Sequence, residues 1–213
     1  MSAPSPAAAA PDAPHSRLEH FPITFFATTM GLGGFTLALR AAAGPLGIGP
    51  LPYQIAFVMT AAVFVLLLGV YALKATQHWR AVSAEWHHPI RLAFFPTVAI
   101  SLLLLAIIAM SVSKPLALAL WGTGTALQAV MTISVITSWI GTRSFQHGHL
   151  NPAWFIPAVG NVIVPVAGAQ LGFVELSWLF FSAGMIFWMV LLTLVFNRLV
   201  FHDPLPGRLQ PTL

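Results

Sequence analysis

Six stretches of this chain run for 20 residues or more without a single Asp, Glu, Lys or Arg: 20–39, 41–73, 92–113, 115–142, 144–174 and 176–197. A helix needs about 20 apolar residues to cross a bilayer. Backbone N–H and C=O groups cannot stay unpaired in hydrocarbon, which leaves only helices or a closed barrel. The runs are too long and too continuous for barrel strands, which have about 10 residues of alternating polarity. The chain therefore reads as an all-α polytopic membrane protein built from helical hairpins. The predicted spans cover about 22–40, 53–73, 92–111, 116–140, 153–171 and 176–200. Charged residues make up 7% of the 213 residues, against about 25% in soluble domains, so nearly every charge falls in a connection.

Those few charges set the expected topology. Arg17, Lys74, Arg80, Arg91, Arg143, Arg198 and Arg208 fall on one side, and only Arg40 and Lys114 on the other. Under the positive-inside rule this puts both termini in the cytoplasm of a cell bounded by this membrane. The basic residues are scattered singly, so membrane lipid is the expected partner and nucleic acid is not. Residues 1–19, rich in Ala and Pro, read as a disordered cytoplasmic tail. Residues 20–203 are expected to form the membrane domain, and 204–213 to be the lead-in to a seventh helix that the sequence does not contain.

The spans differ from one another in a regular way. The first opens on Phe21-Pro22, the third carries Phe94-Phe95-Pro96, and the fifth carries Phe155-Ile156-Pro157 with Pro165 beyond it. The second, fourth and sixth have no proline between their ends. Proline removes a helical hydrogen bond and pushes away the carbonyl four residues earlier. For Pro157 and Pro165 those carbonyls belong to Ala153 and Asn161. Groups freed in this way need protein or water beside them. The odd spans also hold the small and polar residues, and the even spans are greasier. The expectation is an inner set of odd helices around a pore axis and an outer set of even ones.

Several chemistries are excluded by what the spans lack. An enzyme site needs titratable groups, and the only Asp, Glu, Lys or Arg within the predicted spans are Arg40 and Arg198, at or near span ends. The eight histidines fall in the tail, in connections or at span edges, and no two have the i, i+4 spacing of paired metal ligands. There is no cysteine. No catalytic residue, cofactor or metal is expected. A proton-coupled transporter buries an acid or histidine as a relay, and these spans offer none, so passive movement is favoured.

The stretches FPITFFATTMGLGGFTLAL, AEWHHPIRLAFFP, WGTGTALQAVMTISVITSWI, HLNPAWFIPAVGNVIVPVAG and LFFSAGMIFWMVLL, in this order, resemble the tellurite-resistance/dicarboxylate-transporter family, which includes bacterial TehA and the plant slow-type anion channels. The resemblance implies ten helices in five hairpins around a quasi-fivefold axis. It also implies an inner wall of proline-kinked odd helices, a phenylalanine plug on the ninth helix, homotrimers with one pore per protomer, and passage of small anions. Tellurite, C4-dicarboxylates such as malate, halide and nitrate are all compatible with it. This chain holds six of the ten helices, so the resemblance also raises a truncated or non-conducting fragment, or an assembly subunit, as the alternative. On this reading the expected pore-lining residues are Pro22, Thr24, Thr28, Gly31 and Gly34 of the first span, Pro96 and Ser101 of the third, and Pro157, Gly160, Asn161 and Pro165 of the fifth. Arg80, Arg91 and Arg143 are expected at a cytoplasmic mouth, where they would concentrate anions. Gln128 of the fourth span reads as an interhelical hydrogen-bonding residue.

Overall fold

The computed structural model describes residues 17–141 and 150–201. The expected mouth residue Arg143, the histidines at 147, 149 and 202, and most of the predicted tail lie outside the described residues. The chain forms α1 (Phe26–Leu46), α2 (Leu51–Gln77), α3 (Trp79–Trp86), α4 (Thr97–Ala109), α5 (Lys114–Gly141), α6 (Phe155–Val159), α7 (Val164–Gly168) and α8 (Val174–Phe201). Short 3₁₀ turns at Ile23–Phe25, Arg91–Phe94, Pro152–Trp154 and Gly160–Ile163 lead into or interrupt them. Among the described residues there is no strand. By length and composition, α2, Arg91–Ala109, α5 and α8 can each cross a membrane. The protein is an all-α polytopic membrane protein.

The prolines mark the breaks in regular winding. Pro22 is extended and caps the turn that precedes α1. Pro96 separates the Arg91–Phe94 turn from α4. The stretch Pro152–Gly168 is a chain of alternating 3₁₀ and α turns around Pro157 and Pro165. Proline cannot donate to the turn before it, so the winding tightens or restarts there. That winding changes which carbonyls are freed. The Asn161 carbonyl, expected to be exposed by Pro165, accepts the N–H of Val164. α1 continues past Arg40 through Pro45 and ends on Gly47 at φ 64°, a left-handed cap that glycine adopts without a Cβ penalty.

Burial separates the helices. Of the most apolar window in each, 72% is buried for Arg91–Ala109 but only 17% for α2, 33% for α5 and 22% for α8. α4 sits at the centre, against α1 on one side and α5 on the other. One core cluster joins Leu103, Ala106 and Ile107 of α4 to Trp121, Val164, Ala167 and Phe180, and a second joins Ile23 and Phe26 to Phe64 and Leu105. The outer helices turn Val58, Leu66, Ile133 and Met189 outward. Such surfaces suit lipid, where apolar side chains lose nothing by exposure.

Arg40 illustrates how a lone cation is used in this setting. Its Nη1 donates to the carbonyl of Ile107 at 2.8 Å. Ile107 lies in the last turn of α4, where carbonyls have no following turn to accept from. A cation there also meets the negative end of the helix dipole. Arg40→Leu is expected to cost about 1.5–3 kcal/mol, the range for a hydrogen bond to a charged group. Thermal unfolding in detergent measures it, and an unchanged midpoint would remove the cap from the account.

Candidate functional site

α1 presents the face that the predicted pore residues require. Thr28, Gly31 and Gly34 are exposed along it, and Thr24 and Pro22 are half-buried at its N-terminal end. A Cβ built on Gly31 or Gly34 would meet nothing within 4 Å. The opposite face of α1 is closed. Thr29 bonds to Ser101 of α4, and Thr36 to Thr60 of α2. Gly33 lies against Leu104, 3.2 Å from where its Cβ would be. Alternating glycines thus serve two different surfaces, with Gly33 for packing and Gly31 and Gly34 for open space.

The remaining predicted pore residues lie between helices. Pro96, Ser101, Pro157, Gly160 and Asn161 are buried, and Pro165 is half-buried. The hydroxyl of Ser101 donates to the Thr97 carbonyl in its own helix as well as meeting Thr29. A Cβ on Gly160 would come within 2.7 Å of Ile100 and 2.8 Å of Gln128 Nε2, so glycine lets the broken stretch approach α4 and α5 closely. Asn161 gives its amide to the carbonyls of Ala158 and Pro157 at 2.8 and 3.3 Å and shares a bond with the Thr132 hydroxyl. Its side chain is spent on two carbonyls of its own turn and on Thr132 of α5. Gln128, fully buried, plays the interhelical part expected of it and donates to the Pro157 carbonyl at 3.1 Å.

Several bonds from the even spans to the odd ones share a direction, while Asn161 Nδ2 donates back to Thr132 Oγ1. Trp121, Gln128 and Thr132 of α5 donate to the carbonyls of Val164 and Pro157 in the broken fifth span. Lys74 of α2 donates to the Phe21 carbonyl ahead of α1, and Arg198 of α8 to the Leu150 carbonyl ahead of the fifth span. In each case an even span (α2, α5 and α8 are the second, fourth and sixth) supplies the donor and an odd span, or its lead-in, the acceptor. Trp121, Gln128 and Thr132 recur at helical spacing on one stripe of α5. The Pro157 carbonyl accepts from Gln128, Thr132 and Asn161 together.

The end of α2 beside the start of α1 holds a cluster that the sequence does not announce. Lys74, read as a topological cation, is 1% exposed. Its Nζ lies 3.1 Å from Glu85 Oε2, donates to the Phe21 carbonyl at 2.7 Å, and sits 5.5 Å from the centre of the Tyr71 ring. Tyr71 donates to the same Glu85 oxygen at 2.9 Å. Arg91, 49% exposed, approaches the other carboxylate oxygen at 3.6 Å. Glu85 is presented by the buried side of α3, whose outer side carries Trp79 and Arg80. One carboxylate thus faces two cations, which leaves a net positive charge beside the turn that starts α1. The available signal was Tyr71 and Lys74 one turn apart at a helix end, followed by a lone acid in an otherwise basic connection. Among the described residues no cluster of His, Asp and Glu could hold a metal.

Known proteins are similar to this chain in sequence over most of its length. An uncharacterized transporter of Methanocaldococcus jannaschii is 26% identical, over 93% of this chain and 61% of its own length. A tellurite resistance protein TehA homolog of Haemophilus influenzae is 28% identical over 79% and 52%. The guard cell S-type anion channel SLAC1 of Arabidopsis thaliana is 25% identical over 91% and 37%. This chain therefore spans about three fifths or less of the length of these relatives. Residues 20–213 match the SLAC1 family, described as voltage-dependent anion channel. With its proline-broken odd spans, its greasy outer helices and that match, the chain belongs to the SLAC1 voltage-dependent anion channel family.

Proposed function

We propose that this chain forms the wall of a passive path for small anions across the cytoplasmic membrane, with six crossings and both termini inside. The observation that carries this reading is the uncharged face of α1. Thr28, Gly31 and Gly34 leave it open and mildly polar, with no fixed charge to hold a permeating ion. A path without charged groups can still select by its dipoles and gate by dewetting. Arg80 and Arg91, both exposed at the cytoplasmic end, raise the local anion concentration there. Relatives named for tellurite resistance and for S-type anion channel activity support oxyanions, halide or nitrate as the cargo, and a C4-dicarboxylate fits the same chemistry. No catalytic step is required of any residue. A homotrimer with one path per protomer is the assembly proposed for the whole protein.

The test uses the open glycines. Gly34→Leu fills space that no other group occupies, so the fold is expected to tolerate it. Chloride and nitrate flux from proteoliposomes is expected to fall severalfold at equal incorporation. Unchanged flux would take the α1 face out of the path. A second reading is favoured by the same open glycines, whose bare backbone also admits a close neighbouring helix. On that reading the same face seats a helix of another membrane chain. Gly34→Leu would then dissociate a complex on native gels rather than slow a flux.

A further inference from the structure

We propose that Arg198, in the last turn of α8, is a binding site for an oxyanion. Lys74 shows what Arg198 lacks. Both cations are buried, and each stands in the last turn of an even span. Each donates to a backbone carbonyl ahead of an odd span, Lys74 to Phe21 and Arg198 to Leu150. The charge of Lys74 is matched by Glu85 at 3.1 Å, which α3 folds back to supply. No acid does this for Arg198 among the described residues, where the acids are Glu19, Glu85 and Glu175. Glu85 is engaged by Lys74 and Arg91. Glu19 lines a hollow at the end of α2 with His78 and Arg80. Glu175 stands in the first turn of α8, about 35 Å away along the helix at 1.5 Å per residue.

A long cation at the end of a membrane helix ordinarily snorkels and keeps its charged head in water. Arg198 does the opposite. It continues the buried stripe of α8 through Leu191 and Val195, at helical spacing, and is 7% exposed. Taking a charge out of water is costly unless an opposite charge comes with it. The Leu150 carbonyl and the negative end of the α8 dipole offset part of that cost, but neither carries a full charge. A guanidinium presents five N–H groups in a planar fork. Its Nη1 meets Leu150, and the edge formed by Nε and Nη2 matches two oxygens of one ligand. Phosphate, sulfate or another oxyanion fits that edge, and so does the phosphate group of a lipid. A halide offers a single atom to the same fork and is the weaker ligand. The site does not depend on the path along α1, and it would exist in a chain that conducts nothing.

The test uses the whole protein, delipidated, in an uncharged detergent free of phosphate. The probe is inorganic phosphate labelled with phosphorus-32, titrated by equilibrium dialysis in chloride at constant ionic strength. The unmodified protein is expected to bind it saturably, at one phosphate per chain. Arg198→Lys keeps the cation and a donor for Leu150 but loses the fork. It should weaken binding by roughly tenfold or more, the factor equivalent to one charge-assisted hydrogen bond. Arg198→Gln should abolish binding, and Lys114→Gln, which removes an exposed cation, should leave it unchanged. Phosphatidylglycerol added to the micelles separates the two sources of the ligand. Displacement of the labelled phosphate assigns the site to a lipid headgroup, and retention assigns it to a free oxyanion. Binding of neither phosphate nor phosphatidylglycerol by the unmodified protein would overturn the proposal. So would equal binding by Arg198→Lys, which decides alone should Arg198→Gln fail to fold.

Discussion

Replacing Lys74 by Met is expected to lower the unfolding midpoint in detergent by roughly 10 °C, because removing one partner of a buried pair costs about 3–5 kcal/mol. Lys74 and Glu85 are 1% and 3% exposed. Neither can fall back on water when the other is lost. Loss of Lys74 also orphans the Phe21 carbonyl, which loosens the turn that starts α1. Glu85→Leu should do comparable damage, since it strands an ammonium beside Tyr71. The double variant is expected to recover much of the loss, because two apolar groups of similar volume replace a pair whose desolvation consumed most of its attraction. Arg91→Ala is the internal control. With a half-exposed guanidinium at 3.6 Å, it should change stability by under about 1 kcal/mol. If Lys74→Met were as mild as Arg91→Ala, the buried pair would not anchor the start of α1.

Gly160→Val is expected to destabilise by about 1–3 kcal/mol or more, as overpacking of a filled interior does. Even the first added carbon would come within 2.7 Å of Ile100 Cδ1 and 2.9 Å of its Cγ1. Ile100 is buried at 1% exposure, so it has little room to retreat. The substitution also pushes on Gln128 and separates α5 from the Pro157 carbonyl. Gly184→Val should behave alike, because its added carbon would lie 2.6 Å from Val162 Cγ2 and 3.2 Å from the Val162 backbone nitrogen. Gly34→Leu, on the open face, should leave the midpoint where it was. Equal effects at Gly160 and Gly34 would mean that the distinction between packed and open glycines is wrong.

The difference between these glycines was not legible in the sequence. Gly31, Gly33, Gly34 and Gly160 all read as small residues in odd spans, and only their neighbours decide which face is filled. Asn161 shows the same limit. Its polarity deep in a span marked it as special, yet the side chain is consumed by Thr132 and two carbonyls of its own turn. What selected that outcome was the 3₁₀ winding at Gly160–Ile163, which depends on two prolines acting together with the stripe on α5. Lys74 and Glu85 were legible as charges but not as partners. They meet because α3 folds back under α2, and a short amphipathic helix in a polar connection carries no hydrophobic run to announce it.

The sequence by itself determined that the chain is helical and lies in a membrane, because charge-free runs long enough to span leave no other way to pair the backbone. It also determined that odd and even spans differ, since proline acts through covalent geometry and needs no neighbour to break a turn. The tertiary structure alone decided which carbonyls of the fifth span α5 meets, which glycines face open space and which cation is buried. Those outcomes depend on distances between helices, and such distances are set by side chains far apart in the chain.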